Sequence, residues 1–269
     1  GFFKAIIDYW KVNKNSYIEA MEFNRQTSTT RSSASEAIID QGLRAYMLKV
    51  YNYMASGVLL TGVVALLFFK MAVVSDGGQI IGLTNFGNTI YASGLKWVIM
   101  LAPLAVVFYM SFGIAKMSAA KAQTTFWVFA ALMGASLSSI FLIYTGASIT
   151  RVFFITAGTF GAMSIYGYTT KKDLTKLGSF LMMGLFGIII ASIVNIFMKS
   201  SMMYFVISII GVLVFVGLTA YDTQKIKNMY LASDSGELMG KKAVMGALTL
   251  YLDFINLFIM LLRLFGQRR

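Results

Sequence analysis

The chain of 269 residues contains no cysteine and no histidine, and its only proline is Pro103. Without cysteine there are no disulfides, thiolate metal sites or cysteine nucleophiles. Without histidine the chain lacks the usual metal ligand, the usual general base and the side chain that normally titrates near neutral pH. Any proton chemistry must therefore use carboxylates, lysine or tyrosine. The near absence of proline favours long, uninterrupted helices.

Charged residues are also scarce. They make up 13% of the chain, while 58% of the residues are hydrophobic. A soluble globular domain is nearer to about 45–50% apolar and about 25% charged. The composition therefore predicts an integral membrane protein. The net charge of +12 does not indicate a nucleic-acid partner, because the basic residues lie in short loops between apolar runs, where membrane proteins place them.

The apolar runs predict seven membrane-spanning helices, each of which needs about 20 mainly apolar residues. The predicted spans are residues 50–73, 97–115, 124–145, 152–169, 177–198, 203–224 and 244–264. The connections are short except for a long loop between the first two spans, so neighbouring helices are expected to pack as antiparallel pairs. The predicted fold class is an all-α integral membrane protein. Small residues predict close helix contacts at Gly134, Gly158, Gly161, Gly184 and Gly187.

The Lys and Arg residues are divided unequally between the two ends of the predicted spans. Sixteen of the 23 fall on the side of the N-terminal segment and seven on the other side. The positive-inside rule then predicts a cytoplasmic N-terminus, with the C-terminus on the opposite face. Without the N-terminal segment the division is nine to seven, so the predicted orientation depends largely on that segment.

Residues 1–35 are treated as an N-terminal segment and residues 36–269 as the transmembrane domain. Apolar residues at positions 3, 6, 7 and 10 predict a short amphipathic helix within residues 1–20, lying on a membrane surface. The alternative is that these residues do not belong to the native chain, which could begin at Met21. Residues 22–35 are rich in Ser and Thr and are predicted to be flexible.

Only two of the eleven acidic residues fall within or at the edge of an apolar span. Asp222 lies in GLTAYDTQKIKN, near the predicted cytoplasmic end of the sixth span, and Asp253 lies inside TLYLDFINLFIMLLRLFG in the seventh. A charge at the centre of a membrane helix costs about 2.5–3.5 kcal/mol on insertion scales. The two helices are consecutive and antiparallel, so the carboxyl groups can meet if the sixth helix continues through TQKIKN.

Two carboxyl groups in contact at low dielectric should not both ionise. The pair would then share a proton and would respond to pH without histidine. The alternative is that each aspartate separately caps or hydrogen-bonds a neighbouring helix. The sequence therefore offers a candidate pH sensor, formed by Asp222 and Asp253.

Other polar residues near this pair are candidate partners. Lys116, at the end of the second span, is the candidate cation, with ordinary snorkelling toward the headgroups as the alternative. Asn256, three residues after Asp253, could donate to a carboxylate or contact an ion. Arg263 is expected to anchor the membrane interface, and Asn195 has no evident partner. With backbone carbonyls, the two aspartates and Asn256 could form a weak Ca²⁺ site; no firm metal site and no cofactor is predicted.

A pair of aspartates on adjacent helices also describes an intramembrane aspartyl protease. In such an enzyme the second aspartate follows Gly-x-Gly, whereas Tyr251 and Leu252 precede Asp253. A Pro-Ala-Leu motif should follow in a later helix, and the only proline is Pro103, in the second span. The sequence therefore favours a non-enzymatic, proton-responsive cation pathway.

TAYDTQKIK (219–227), followed by LYLDFINLFIMLLRLFG (250–266), resembles the C-terminal signature of the Bax inhibitor-1 family, also called the transmembrane Bax inhibitor motif family. The bacterial branch of that family includes YccA-like and YetJ-like proteins. The resemblance covers roughly residues 36–269. It implies seven helices with a central seventh helix, in a bacterial inner membrane. It also implies a Ca²⁺ leak channel, with Asp222 and Asp253 as a paired-aspartate pH sensor.

Two further expectations come from this resemblance. In the family's bacterial channel a basic residue at the end of helix two latches the first aspartate, and aligning the helix-three glycine with Gly134 places Lys116 there. Lysine departs from that pattern, because only arginine binds a carboxylate bidentately. The alternative function is regulation of a membrane-anchored ATP-dependent protease, which would engage an N-terminal tail such as residues 22–35. The expected partners are thus the lipid bilayer, Ca²⁺, protons and, in the alternative, that protease.

Overall fold

The computed structural model describes residues 33–269, with side chains from residue 40 onward. The predictions for residues 1–20 and for most of 22–35 lie outside this range. Seven long helices form a bundle: α1 (Ser33–Ala72), α2 (Leu95–Gly113), α3 (Ala119–Leu137), α4 (Gly146–Thr169), α5 (Thr175–Met198), α6 (Ser201–Asn228) and α7 (Gly236–Phe265). Each is long and apolar enough to cross a membrane. The prediction of an all-α protein with seven spanning helices is confirmed.

The ends of these helices define two faces of the bundle. The N-terminal face is where α1 begins, where α2, α4 and α6 end, and where α7 begins; the C-terminal face is the opposite one. Helix α6 continues past Asp222 to Asn228, which is the condition under which the two aspartates can meet. Helix α7 begins at Gly236, eight residues before the predicted start of the span, because the Ser235 hydroxyl caps it by accepting the Leu238 N–H at 3.2 Å. Lys241 and Lys242 lower the hydropathy of this first part of α7, so the apolar run in the sequence begins only after them.

A small β-hairpin occupies part of the long loop between α1 and α2. Strands β1 (Val73–Asp76) and β2 (Gln79–Leu83) pair antiparallel. Gly77 and Gly78 have φ values of 56° and 83°, which is the backbone that a two-residue hairpin turn requires. This segment was expected to be a loop, although Asp-Gly-Gly between apolar pairs is a recognised hairpin signal. Short helical turns complete the described chain at Asn85–Gly87, Asn88–Ala92, Ile114–Lys116 and Ile140–Ile143.

Helix α7 is the centre of the bundle, as expected. It packs against α1, α3, α4 and α6. In its most apolar stretch 72% of the residues are buried, compared with 11% in α2 and in α5. Its N-terminal half joins an apolar cluster with α1 and α3, and its C-terminal half joins another with α4, α5 and α6. The outer helices therefore expose most of their surface to lipid, whereas α7 exposes little.

A hydroxyl network ties α7 to two neighbours within the apolar interior. The Thr61 hydroxyl on α1 donates to the carbonyl of Ala130 on α3 at 2.8 Å. Its proton is thus committed, so the Tyr251 hydroxyl on α7 donates to the Thr61 oxygen at 2.6 Å. Both polar side chains are satisfied where no water competes, which stabilises the contact of three helices.

Only some of the predicted glycine contacts occur. Gly134 packs against the backbone of α1 and Gly184 against Val214, so these two predictions are right. Gly158, Gly161 and Gly187 face open space, and the prediction of close contact is wrong there. The sequence shows that a residue is small but not which side of its helix meets a neighbour.

The C-terminal residues are attached to the segment between α3 and α4 and to the first turn of α4. The Arg269 N–H donates to the Ile143 carbonyl at 2.9 Å, and the Gln267 N–H donates to the Ser148 hydroxyl at 2.8 Å. Arg263 lies over the Tyr204 ring, 4.8 Å from its centroid, a cation–π contact near the C-terminal face.

Asn195, which had no evident partner in the sequence, accepts the Ser200 N–H at 2.9 Å. This bond closes the connection between α5 and α6. The side chain therefore has a local structural role at the end of α5.

Gly167 provides a test of the helix packing. It touches the backbone of Ala220, so a Cβ would collide with the α6 main chain. We expect Gly167→Ala to lower the stability by about 1–3 kcal/mol through overpacking. Gly158→Ala, on the same helix with open space around it, should be neutral or slightly stabilising because alanine favours helix. Thermal unfolding of both variants in one detergent measures the difference, and equal stability would contradict the α4–α6 contact.

Candidate functional site

Asp222 and Asp253 meet inside the bundle, as the sequence analysis expected. Asp222 lies on α6, six residues before the helix ends, and Asp253 lies near the middle of α7. Their carboxyl groups are within hydrogen-bonding reach of each other, and their exposed fractions are only 9% and 5%. A hydrogen bond between two carboxyl groups requires a proton on one of them. Such a bond would place one proton between the two carboxyl groups.

One oxygen of this pair lacks a partner. Asp253 Oδ2 is buried and makes no hydrogen bond to the described part of the chain. A buried polar atom without a partner costs about 1–3 kcal/mol. This oxygen therefore retains its capacity to accept a proton or a hydrogen bond.

The pair is too poor in ligands to form a complete metal site. Within residues 40–269 no group of three or more acidic side chains could hold a metal ion. Calcium prefers about six to eight oxygen ligands. Two carboxyl groups can thus offer a cation a brief contact, but they cannot supply the coordination of a tight storage site.

Lys225 is the cation closest in effect to the pair. It lies one turn after Asp222 on α6 and is half-buried, and its charge acts on both carboxyl groups. Lys225 does not form a direct ion pair with either carboxyl group. Among the described residues, the one ion pair within 4.0 Å joins Lys242 to Asp234, at 2.6 Å. Lys225 can therefore tune the charge of the pair without neutralising it by direct contact.

Two predicted partners lie elsewhere. Lys116 is exposed in the helical turn after α2 and is not among the charges that act on either carboxyl group. The Asn256 amide donates to the Leu252 carbonyl of its own helix at 2.8 Å. The structure thus does not show the expected Lys116 latch or an Asn256 hydrogen bond to a carboxylate. Asn256 is held by its own helix, because a side-chain amide can donate to the carbonyl four residues back.

A chain of hydroxyl groups, which the sequence analysis missed, fastens α6 directly beside Asp222. The Thr223 hydroxyl donates to the Thr219 carbonyl at 2.7 Å. The Ser164 hydroxyl on α4 must then donate to Thr223, at 3.0 Å, and the Tyr51 hydroxyl on α1 to Ser164, at 2.5 Å. Three helices are joined in one directed chain. Threonine and serine in apolar helices were the available signal, but their partners are far away in sequence.

Two further side chains hold the end of α6 against α4 and the loop that follows α4. The Gln224 amide donates to the Lys172 carbonyl at 2.7 Å, and its oxygen accepts the Leu174 N–H at 2.9 Å. Lys227 donates to the Tyr168 carbonyl at 2.8 Å. The turn that carries Asp222 is therefore attached to α4 by uncharged and charge-assisted hydrogen bonds. Toward α7, this part of α6 presents the carboxyl of Asp222 to Asp253, and Lys242 of α7 donates to the Met229 carbonyl at the end of α6, at 3.0 Å.

Comparisons with known proteins agree with this architecture. The family model described as "Inhibitor of apoptosis-promoting Bax1" matches residues 43–269. An uncharacterized protein of Rickettsia prowazekii (strain Madrid E) is 49% identical over 243 residues, which cover 90% of this chain and 98% of that protein. The inner membrane protein YbhL of Escherichia coli (strain K12) is 47% identical over 243 residues, 89% of this chain and 99% of that protein. An uncharacterized protein of Caulobacter vibrioides is 41% identical over 261 residues, 92% and 99% of the two chains.

The hydroxyl chain can be tested with two matched substitutions on α6. Thr219 and Thr223 are both fully buried, and each donates to the carbonyl four residues back. Only Thr223 also accepts a hydrogen bond from α4. We expect Thr223→Val to destabilise the protein by about 1 kcal/mol more than Thr219→Val. Thermal unfolding in detergent measures this difference, and equal losses would show that the link between the helices contributes nothing.

Proposed function

The chain belongs to the Bax inhibitor-1 family, and from that premise we propose that it is a leak pathway for Ca²⁺, opened and closed by the proton shared between Asp222 and Asp253. The observation that carries the proposal is the contact of these two buried carboxyl groups on the central helix and its neighbour. Calcium is the cargo of this pathway and no resident cofactor is needed.

The shared proton holds α6 and α7 together at the pair. When it leaves, two like charges face each other in a poorly solvated interior. At about 4 Å and an effective dielectric constant of about 20, two unit charges interact with about 4 kcal/mol. That repulsion favours separation of the carboxyl groups. Because Thr223, Gln224 and Lys227 attach α6 to α4 and the adjoining loop, we expect the two carboxyl groups to separate by a local movement between α6 and α7.

The direction of the pH dependence follows from proton linkage. The contact state holds one proton more firmly than the separated state does. Acidic pH therefore stabilises contact, and the contact is lost as the pH rises through the range in which the proton leaves. If contact is the closed state, leak should increase with pH.

The separated pair suits a passing cation. Two ionised carboxylates, one with an oxygen that has no other partner, attract a hard cation such as Ca²⁺. Conduction also requires that the ion leave again, so a site of few ligands is appropriate. The small number of acidic groups near the pair is thus consistent with a leak that has weak ion selectivity.

The first test is Ca²⁺ flux into liposomes that contain the purified protein. For the wild type we expect flux to increase with pH by up to about tenfold per pH unit, the limit for one coupled proton. In Asp253→Asn the amide can donate to Asp222 at every pH. Contact then persists, so the flux should stay at the low, acidic level and lose its pH response.

The matched control is Asp173→Asn, which makes the same change on an exposed loop of the same face and should leave the flux curve unchanged. The channel proposal is wrong if both Asp222→Asn and Asp253→Asn keep the wild-type flux and pH response. Deleting residues 1–35 tests the alternative of protease regulation, because it should abolish engagement of a membrane-anchored protease and leave Ca²⁺ flux intact.

Lys225 supplies a second, independent test. Its positive charge favours the ionised state of the pair, so removing it should keep the shared proton in place at higher pH. We expect Lys225→Gln to move the midpoint of the flux curve upward by about half to one pH unit. Lys225→Arg keeps the charge and should restore the midpoint. If the glutamine and arginine variants behave alike, charge at this position does not tune the pair.

A further inference from the structure

A groove runs down the outer surface of the bundle between α2 and α3. Its volume is about 390 Å³, and its walls are formed by Ala105, Val106, Tyr109, Thr124, Thr125 and Val128. The two threonine hydroxyls donate to carbonyls of their own helix, at 3.0 and 2.7 Å. They are thus satisfied internally, and the surface that they present to a ligand is mainly methyl groups.

The groove faces the region that lipid occupies. Helix α2 is among the least covered helices of the bundle, with 11% of its apolar stretch buried. The eight residues from Lys121 to Val128 span about 10 Å along α3. The groove therefore begins near the N-terminal face and continues into the hydrocarbon depth of the membrane.

The mouth of the groove is positively charged. Lys121 Nζ lies 5.8 Å from the centroid of the Tyr109 ring, and Lys116 is exposed at the end of α2. Lys241 reaches the same corner, with its Nζ 3.4 Å from the Ala115 carbonyl. The acidic side chain at this corner is Glu237, which accepts the N–H of Ala119 at 2.5 Å. Three lysines thus face one carboxylate where lipid headgroups lie.

We propose that this groove binds an anionic phospholipid. One acyl chain lies against the apolar wall, and the phosphate lies between Lys116 and Lys121. The charge at the mouth selects the lipid class, because a basic residue near the membrane surface attracts an anionic headgroup and gains little from a zwitterionic one. The site is independent of the carboxyl pair, so it stands or falls separately from the leak pathway.

The absence of cysteine makes a direct test possible. Leu101→Cys places a single thiol on an exposed position of α2, one turn beyond the groove, where it can carry a fluorophore. The labelled full chain is placed in vesicles that contain brominated phosphatidylglycerol or brominated phosphatidylcholine at the same mole fraction. We expect stronger quenching by phosphatidylglycerol. Lys116→Gln and Lys121→Gln should each reduce this preference about fivefold.

Two controls separate a site from general attraction to the membrane. Lys171→Gln with Lys176→Gln removes the same charge from exposed positions on the same face and should leave the preference unchanged. A label at Ile190→Cys, on the outer surface of α5, should show no preference. The proposal is overturned if the preference survives loss of both groove lysines or if both lipids quench equally. It is also overturned if neither lipid quenches, as happens when a second copy or another protein covers the groove.

Discussion

Two carboxyl groups buried in contact must share a proton or separate, and the remaining structure is arranged around that constraint. Asp253 sits on the most buried helix, where water cannot stabilise its charge. Asp222 reaches it because α6 continues as a helix for six residues beyond Asp222. Lys225 acts on both groups without touching either. The charge of the pair is thus kept adjustable, which a direct ion pair would prevent.

The hydrogen bonds around the pair are unequal on its two sides. On the side of α4, the end of α6 is held by threonine, glutamine and lysine side chains. On the side of α7, the polar links are the carboxyl pair and the bond from Lys242 to the Met229 carbonyl. Threonine, glutamine and lysine do not change their charge between acidic and neutral pH, whereas a carboxyl pair can. Under the proposed function, a change of pH would therefore act at the interface of α6 with α7 and leave the interface of α6 with α4 in place.

The parts that the sequence predicts are those set by local composition. Long apolar runs predict the seven helices. The contact between Asp222 and Asp253 is predicted because both are isolated carboxylates on consecutive antiparallel helices. The predictions fail where a result depends on which side of a helix faces a neighbour. Gly134 packs closely while Gly158 does not, and Asn256 turns to its own backbone. Lys225 could have been found from its spacing after Asp222. The link from Tyr51 to Ser164 could not, because 113 residues separate them.

The position of the pair along the bundle has an electrical consequence. Asp222 lies six residues from the end of α6, whereas α7 continues for twelve residues beyond Asp253, about 18 Å, among buried Leu257, Phe258, Leu261 and Leu262. In a membrane, a voltage falls mainly across such dry, apolar layers, at about 2.3 kcal/mol per elementary charge and 100 mV. In the proposed pathway, a proton that reaches the pair from the N-terminal face crosses only part of this field, while a cation that traverses the bundle crosses all of it. Membrane voltage would then act mainly on the rate of passage, and pH on whether passage is open.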